Sequence, residues 1–308
     1  MSCDFWRDVV NAVQECEIDY GTGRGYLGGG MNYYTGVRTA EIDGFDFVTE
    51  TSINPSSTLT VARAQLCAVN SGLRGYFGGG NLPSNSNEID GIQFNNDAIF
   101  NPSATLSIAR YDLMGTNSST KGYFSGGDSP VRNIIDSMPF DNETIATLSA
   151  TLSVTRSRAG GVNSSLASYV GAGYTGSGQS DSVDKLVFST ETNSLITDTL
   201  SVARNSISAV NSTTRGYFAG GDAGGGSGNW VDGVIFSTDT TIDPAMTVRV
   251  DSHMVGVNSL IKGYLIGGGW NSTEIDGILF STETYINPAV ALPTGRYAPG
   301  GCQSGNIL

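Results

Sequence analysis

Histidine is nearly absent from this 308-residue chain: only His253 occurs. No histidine cluster can ligate a metal, and one imidazole gives no basis for assembling a Ser-His-Asp arrangement. Basic residues are scarce as well. Sixteen Lys and Arg (16) stand against 29 Asp and Glu, a net charge of −13, and such a surface repels phosphate backbones and anionic membranes. Nucleic-acid binding is therefore not expected. Cysteine is limited to Cys3, Cys16, Cys67 and Cys302, whose spacings match no zinc pattern. Reduced, partly buried thiols are expected; a Cys3–Cys16 bridge is open but nothing requires it. No run approaches the roughly 18 apolar residues of a membrane span. The start, "MSCDFWRDVV", has neither a basic leader nor an apolar run, so no standard signal peptide is expected.

Glycine, in contrast, is abundant: 42 residues, recurring at fixed positions. "RGYLGGG" at 24–30 returns as "RGYFGGG" (74–80), "KGYFSGG" (121–127), "RGYFAGG" (215–221) and "KGYLIGG" (262–268), with a weaker copy, "SYVGAG", at 168–173. The anchors Tyr26, Tyr76, Tyr123, Tyr169, Tyr217 and Tyr264 recur every 46–50 residues. Three further phrases keep the same period: "EIDGFDF" (41–47) and its five echoes, "TLTVAR" (58–63) with three, and "AVNS" (68–71) with four. A period of this size marks a repeat architecture in which each unit buries its faces only against its neighbours. Within a unit, large apolar residues alternate with small or polar ones between Gly, Asn and Ser turns, and four short strands result. Six units of four strands predict an all-β protein: a six-bladed β-propeller of antiparallel blades.

The ordered quartet "CAVNS", "GYFGGG", "IDGIQF", "TLSIAR" resembles the kelch repeat over roughly 285 of the 308 residues. The resemblance implies an inner strand, a strand ending in a glycine doublet, a third, and an outer one running to Arg. Leu59, Leu106, Leu152 and Leu200 stand where kelch repeats commonly carry tryptophan, so the blades are a divergent variety. The final "GGCQSGNIL" aligns with "GGVNSSLAS" and stops where the next Tyr phrase would begin. The C-terminus is thus expected to supply the innermost strand of the first blade and close the ring, within a propeller spanning 21–308. Residues 1–20 stand outside the repeat. Phe5, Val9, Val13 and Cys16 share one helical face, with Trp6 and Val10 beside it. This segment is read as a helix packed on the propeller, or as an anchor into a larger assembly.

Each repeat carries an Asp early in its third strand (Asp43, Asp90, Asp136, Asp184, Asp232, Asp276), and most end on an Arg (Arg63, Arg110, Arg156, Arg204, Arg296). Antiparallel neighbours within a blade would pair these groups along one rim. Recurrence in every blade makes them structural. The fifth copy reads "MTVRV", which shifts Arg249 by one. Recognition is expected where the copies differ, in the loops joining strands two and three. Tyr33, Tyr34, Tyr174, Trp230 and Trp270 stand in or beside them with Arg38 and Asn271, aromatic faces among short polar groups, which suits sugar rings. Loop acids such as Asp181 and Asp222 lack the ordered ligand series of a Ca²⁺ site. A kelch-type copper oxidase needs ligands this chain lacks, and no sialidase Asp-box phrase appears.

No cofactor and no catalysis are expected. Phrases such as "DGILFSTET", "INPA" and "VNSTTRGYFAGG" resemble kelch-like repeat proteins of tailed bacteriophages, notably those of cyanobacteria. That resemblance implies a virion structural protein, a tail-associated adhesin or receptor-binding propeller. Its partners would be other tail or fibre proteins and host surface polysaccharide. The alternatives are a mutarotase- or glycosidase-like enzyme acting on sugars, and an intracellular kelch interaction scaffold.

Overall fold

The computed structural model describes residues 23–81, 83–249 and 251–304. The expected helix at 1–20 and the Cys3–Cys16 question lie outside the described residues. Those residues form six four-stranded antiparallel sheets arranged as the blades of a propeller. In blade two the order from axis to rim is Cys67–Asn70, Arg74–Gly78, Ile89–Gln93 and Ile99–Phe100. Blade one closes the ring as expected: Gly300–Gln303 is its innermost strand, paired with Arg24–Gly28, followed by Ile42–Asp46 and Thr51–Ile53. No helix among the described residues is long and apolar enough to cross a membrane.

One expectation is corrected at the rim. The outer strand does not run to the Arg, except in blade four, where it spans Thr192–Arg204. Elsewhere it is two or three residues long, and the Leu-x-x-x-Arg phrase travels back toward the axis as irregular chain. Pro55, Pro102, Pro244 and Pro288 follow the outer strands of blades one, two, five and six. Proline has no N–H to continue the ladder. Blade three stops without one.

The tyrosine phrase explains how blades hold together. Each Tyr ring stacks on the Phe just after strand three of the next blade: Tyr76 on Phe140 at 5.7 Å and 9°, Tyr264 on Phe47 at 5.5 Å and 3° across the closure. Each hydroxyl then donates to an acid in that blade's next turn, as Tyr76 does to Glu143 (2.8 Å) and Tyr26 to Asp97 (2.7 Å). A basic residue two positions earlier completes the contact, as in Arg74–Glu143 at 2.6 Å. Blade four has Ala167 in that position. There Lys185, the cross-strand partner of Tyr169, supplies the ammonium to Asp239 at 2.6 Å. Stacked rings add about 0.5–1.5 kcal/mol beyond their burial.

The Asp–Arg pairs are also corrected: they form between blades, not within one. Arg63 reaches Asp90 (2.6 Å), Arg110 Asp136 (3.0 Å), Arg156 Asp184 (2.7 Å), Arg204 Asp232 (2.6 Å) and Arg296 Asp43 (2.7 Å). All five arginines are buried, so these are interior clasps between consecutive blades and not rim pairs. A neighbour's strand three lies closer to the returning Arg than its own blade does, because the Leu-x-x-x-Arg segment leaves the sheet.

At the axis, the "VNS" phrase ties neighbouring inner strands together. Asn163, Asn211 and Asn258 each accept, through side-chain oxygen, the backbone N–H of the preceding blade's asparagine at 3.3–3.5 Å, and Gln303 does so for Asn258. Ala68, Gly115, Gly161, Ala209, Gly256 and Gly301 line the middle. A Cβ on Gly256 would lie 1.9 Å from the Ala209 carbonyl oxygen. Gly256→Ala is therefore expected to force the inner strands apart and lower the melting temperature by several degrees, measured by calorimetry, while Gly72→Ala, with open space around it, is expected to change little.

Candidate recognition face

The loops between strands two and three all leave the same face of the disc, and the structure joins two of them into one unit. In blade one, Asn32 Oδ1 accepts the N–H of Tyr34 (3.1 Å) and Thr35 (3.0 Å), a side-chain turn that projects Tyr33 and Tyr34 outward. Met31 bridges to Tyr297, the residue after Arg296. Across the closure, Asn271 of blade six accepts the Tyr33 N–H at 2.5 Å. The rings follow this scaffold. Tyr33 meets Trp270 at 5.0 Å, Tyr34 at 5.7 Å and Tyr297 at 5.3 Å. Tyr297 in turn tilts over His253 at 4.3 Å. Trp270 is 68% exposed and Tyr34 71%.

Trp270 (φ 63°) and Asn271 (φ 61°) both stand in the left-handed region, which a bulky residue rarely adopts. The surroundings that hold them there come from a departure in blade five. Spacing from the buried Leu position to the Arg position is one residue shorter in that copy, so Asp251, not Arg249, takes the arginine's place: its carbonyl receives the Gly221 N–H as the Arg63 carbonyl receives that of Gly30. The expectation of a simple shift of Arg249 is corrected accordingly. Asp251 Oδ1 accepts the N–H of Gly269 (2.8 Å) and so anchors the Trp270 loop from below. Burial pushes the Asp251 carboxyl up from its ordinary range. Arg249 lies outside, against Glu274 and Asp251, with its Nε 3.9 Å from Asp276. A cleft of about 370 Å³ opens between Arg249, Asp251, Glu274 and Trp270.

Of the seven residues singled out from the sequence, Tyr33, Tyr34, Trp270 and Asn271 come together. Three do not join them. Arg38 is committed to the neighbouring blade, donating from Nε to the Asn81 carbonyl at 2.9 Å and also to its side chain. Tyr174 donates to the Gly176 carbonyl of its own loop at 3.0 Å. The Trp230 ring covers Gly228, where a Cβ would lie 2.0 Å from Cζ3. Asp222 likewise serves its own turn, accepting the Gly224 N–H at 2.7 Å.

A second set of residues escaped the loop-based reading. Two positions after each clasp residue the six copies read Gln65, Asp112, Arg158, Ser206, His253 and Ala298. All six have left-handed backbone, φ 50–59°. Each N–H from Asp112 to His253 donates to the carbonyl of the preceding member at 2.7–2.9 Å, and Gln65 donates to Ala298 at 2.8 Å, so the chain forms a collar around the channel mouth. Asp112 accepts from Arg158 Nε (2.8 Å) and Gln65 Nε2 (3.1 Å). Burial raises the Asp112 carboxyl and pushes the His253 imidazole down to about 4, so His253 is neutral at pH 7. The signal was there to find: inside an otherwise repeated phrase, one column never repeats.

No protein-family model matches the chain and no curated protein matches it; the fold and the chemistry of this face carry the functional argument.

Proposed function

We propose that this propeller is a non-enzymatic recognition module that binds a surface glycan through the aromatic cluster at the junction of blades one and six. The observation that carries the reading is Trp270: a large, exposed ring held in left-handed backbone and backed by Tyr33, with no part in the repeated blade contacts. Exposed aromatic platforms among Asn, Ser and acidic groups suit the apolar faces and hydroxyls of sugars. A glycosidase would want two facing carboxylates; the channel mouth offers Asp112, already paired with Arg158. The likeness of the repeats to kelch-like phage proteins supports a setting in the virion, as a tail-associated adhesin bound to other tail or fibre proteins.

The test is a plate assay against a panel of bacterial surface polysaccharides. Tyr33→Ala with Trp270→Ala is expected to lose about 2 kcal/mol of binding, some thirtyfold, with the melting temperature nearly unchanged because both rings are exposed. Trp230→Ala is expected to retain binding. Equal binding by the wild type and the double variant removes this face, and purified phage particles consistently lacking the chain remove the virion setting.

A further inference from the structure

The collar at the channel mouth is a place where the blades agree in backbone and disagree in side chain. Scaffold positions repeat because every blade needs the same contact. A column that keeps the same left-handed turn, and in five of its six copies the same collar hydrogen bond, while reading Gln, Asp, Arg, Ser, His and Ala has been released from that demand.

The space it surrounds is a small cup. Its cavity measures about 150 Å³ and is walled by the inner strands of all six blades. A cavity of about 150 Å³ elsewhere takes a single benzene-sized ring. The cup therefore takes at most one ring of a glycan.

Its charge is balanced. Asp112 and Arg158 neutralise each other at 2.8 Å, and Gln65, Ser206 and His253 are uncharged. Hydrogen-bonding capacity remains after the internal contacts. Gln65 spends its amide N–H groups on Asp112, which leaves Oε1. His253 places Nδ1 3.2 Å from Ser252 Oγ, which leaves Nε2. Ser206 donates to Asn205 Oδ1 at 2.7 Å, which leaves the hydroxyl lone pairs. Such a set favours a neutral, hydroxyl-rich ring over a phosphate or a carboxylate.

One member of the collar differs in kind. Ala298 is its only member without a polar side chain, and it adjoins Tyr297, whose ring links His253 to Tyr33 and thence to Trp270. Ring contacts thus run without a break from Trp270 to His253 at the channel mouth. We infer that the channel mouth takes the terminal sugar of the glycan whose following units lie on the Tyr297–Tyr33–Trp270 strip, so that the propeller reads chain ends. This rests on the glycan reading above.

The experiment uses the whole chain and methyl glycosides of glucose, galactose, mannose, rhamnose and N-acetylglucosamine, which imitate a chain-terminal unit. His253 is the sole histidine, so its ring Hε1 proton gives a single NMR line located at the mouth. At least one glycoside is expected to shift that line saturably. Ala298→Gln, which copies the residue borne by Gln65 in the same backbone conformation, is expected to weaken that binding tenfold or more without changing the melting temperature. Polysaccharide binding that depends on Trp270 while every glycoside leaves the His253 line still, or undiminished glycoside binding by Ala298→Gln, overturns this inference and leaves the glycan reading standing. Absence of binding to any sugar overturns both.

Discussion

Asp136→Asn is expected to lower the stability of the folded protein by about 3–5 kcal/mol, the loss that follows when a buried ion pair is broken from one side. The pair is fully interior: neither Arg110 nor Asp136 reaches solvent. Asp136 also accepts from Ser107 Oγ and Thr147 Oγ1, both at 2.7 Å, while Arg110 donates to the Phe124 carbonyl at 3.0 Å. The amide would leave a guanidinium uncompensated between two blades. Urea unfolding measures the difference. A built-in comparison exists at the fifth junction, where Asp276 has no arginine closer than 3.9 Å. Asp276→Asn is expected to change stability by less than half as much. Equal losses at both positions would show that the clasp is not what stabilises the junction.

The same pair makes a pH prediction. Burial raises the Asp136 carboxyl, but Arg110 and the hydroxyls of Thr147 and Ser107 outweigh it and hold it below its ordinary value. A carboxyl depressed by folding contributes stability that is present above the unfolded pKa of about 3.9 and is lost as pH falls through the folded value. The gap between wild type and Asp136→Asn is therefore expected to be constant near neutrality and to narrow below about pH 4.

Ending the chain at Ala298 is expected to abolish cooperative melting. The strand Gly300–Gln303 is all that covers Arg24–Gly28 on the axial side. It carries Cys302 into the core beside Tyr26 and Phe77. It also supplies the Gln303 side chain that accepts from Asn258, the last link of the asparagine series. Removing it exposes strand edges on blade one and cuts contacts with blades two and six together. A truncated propeller is expected to aggregate on heating and to bind a hydrophobic dye at room temperature. A single sharp transition at the wild-type temperature would refute closure by this strand.

Much of the fold was legible in one dimension. A strand's period of two and the turn preferences of Gly, Asn and Ser are local, so Tyr26 and its five counterparts revealed the blades, and the alignment of "GGCQSGNIL" revealed the closure. Even the stacking role of the tyrosines follows from a large amphipathic side chain repeated once per blade. The local pattern failed where the answer depends on how one blade is rotated against the next. Arg63 pairs with Asp90 and not with Asp43 because the rotation between blades brings the neighbour's strand three to the returning chain. The same rotation, carried through the closure, set Tyr33 beside Trp270, some 240 residues away, while Trp230, equally aromatic and equally placed in its repeat, fell back on Gly228. Likewise Gln65, Asp112, Arg158, Ser206 and His253 look like unremarkable residues in the linear chain. Only a ring that closes on itself turns one column of a repeat into the lining of a single cup, because every copy of a position then lies at the same height and the same distance from one axis.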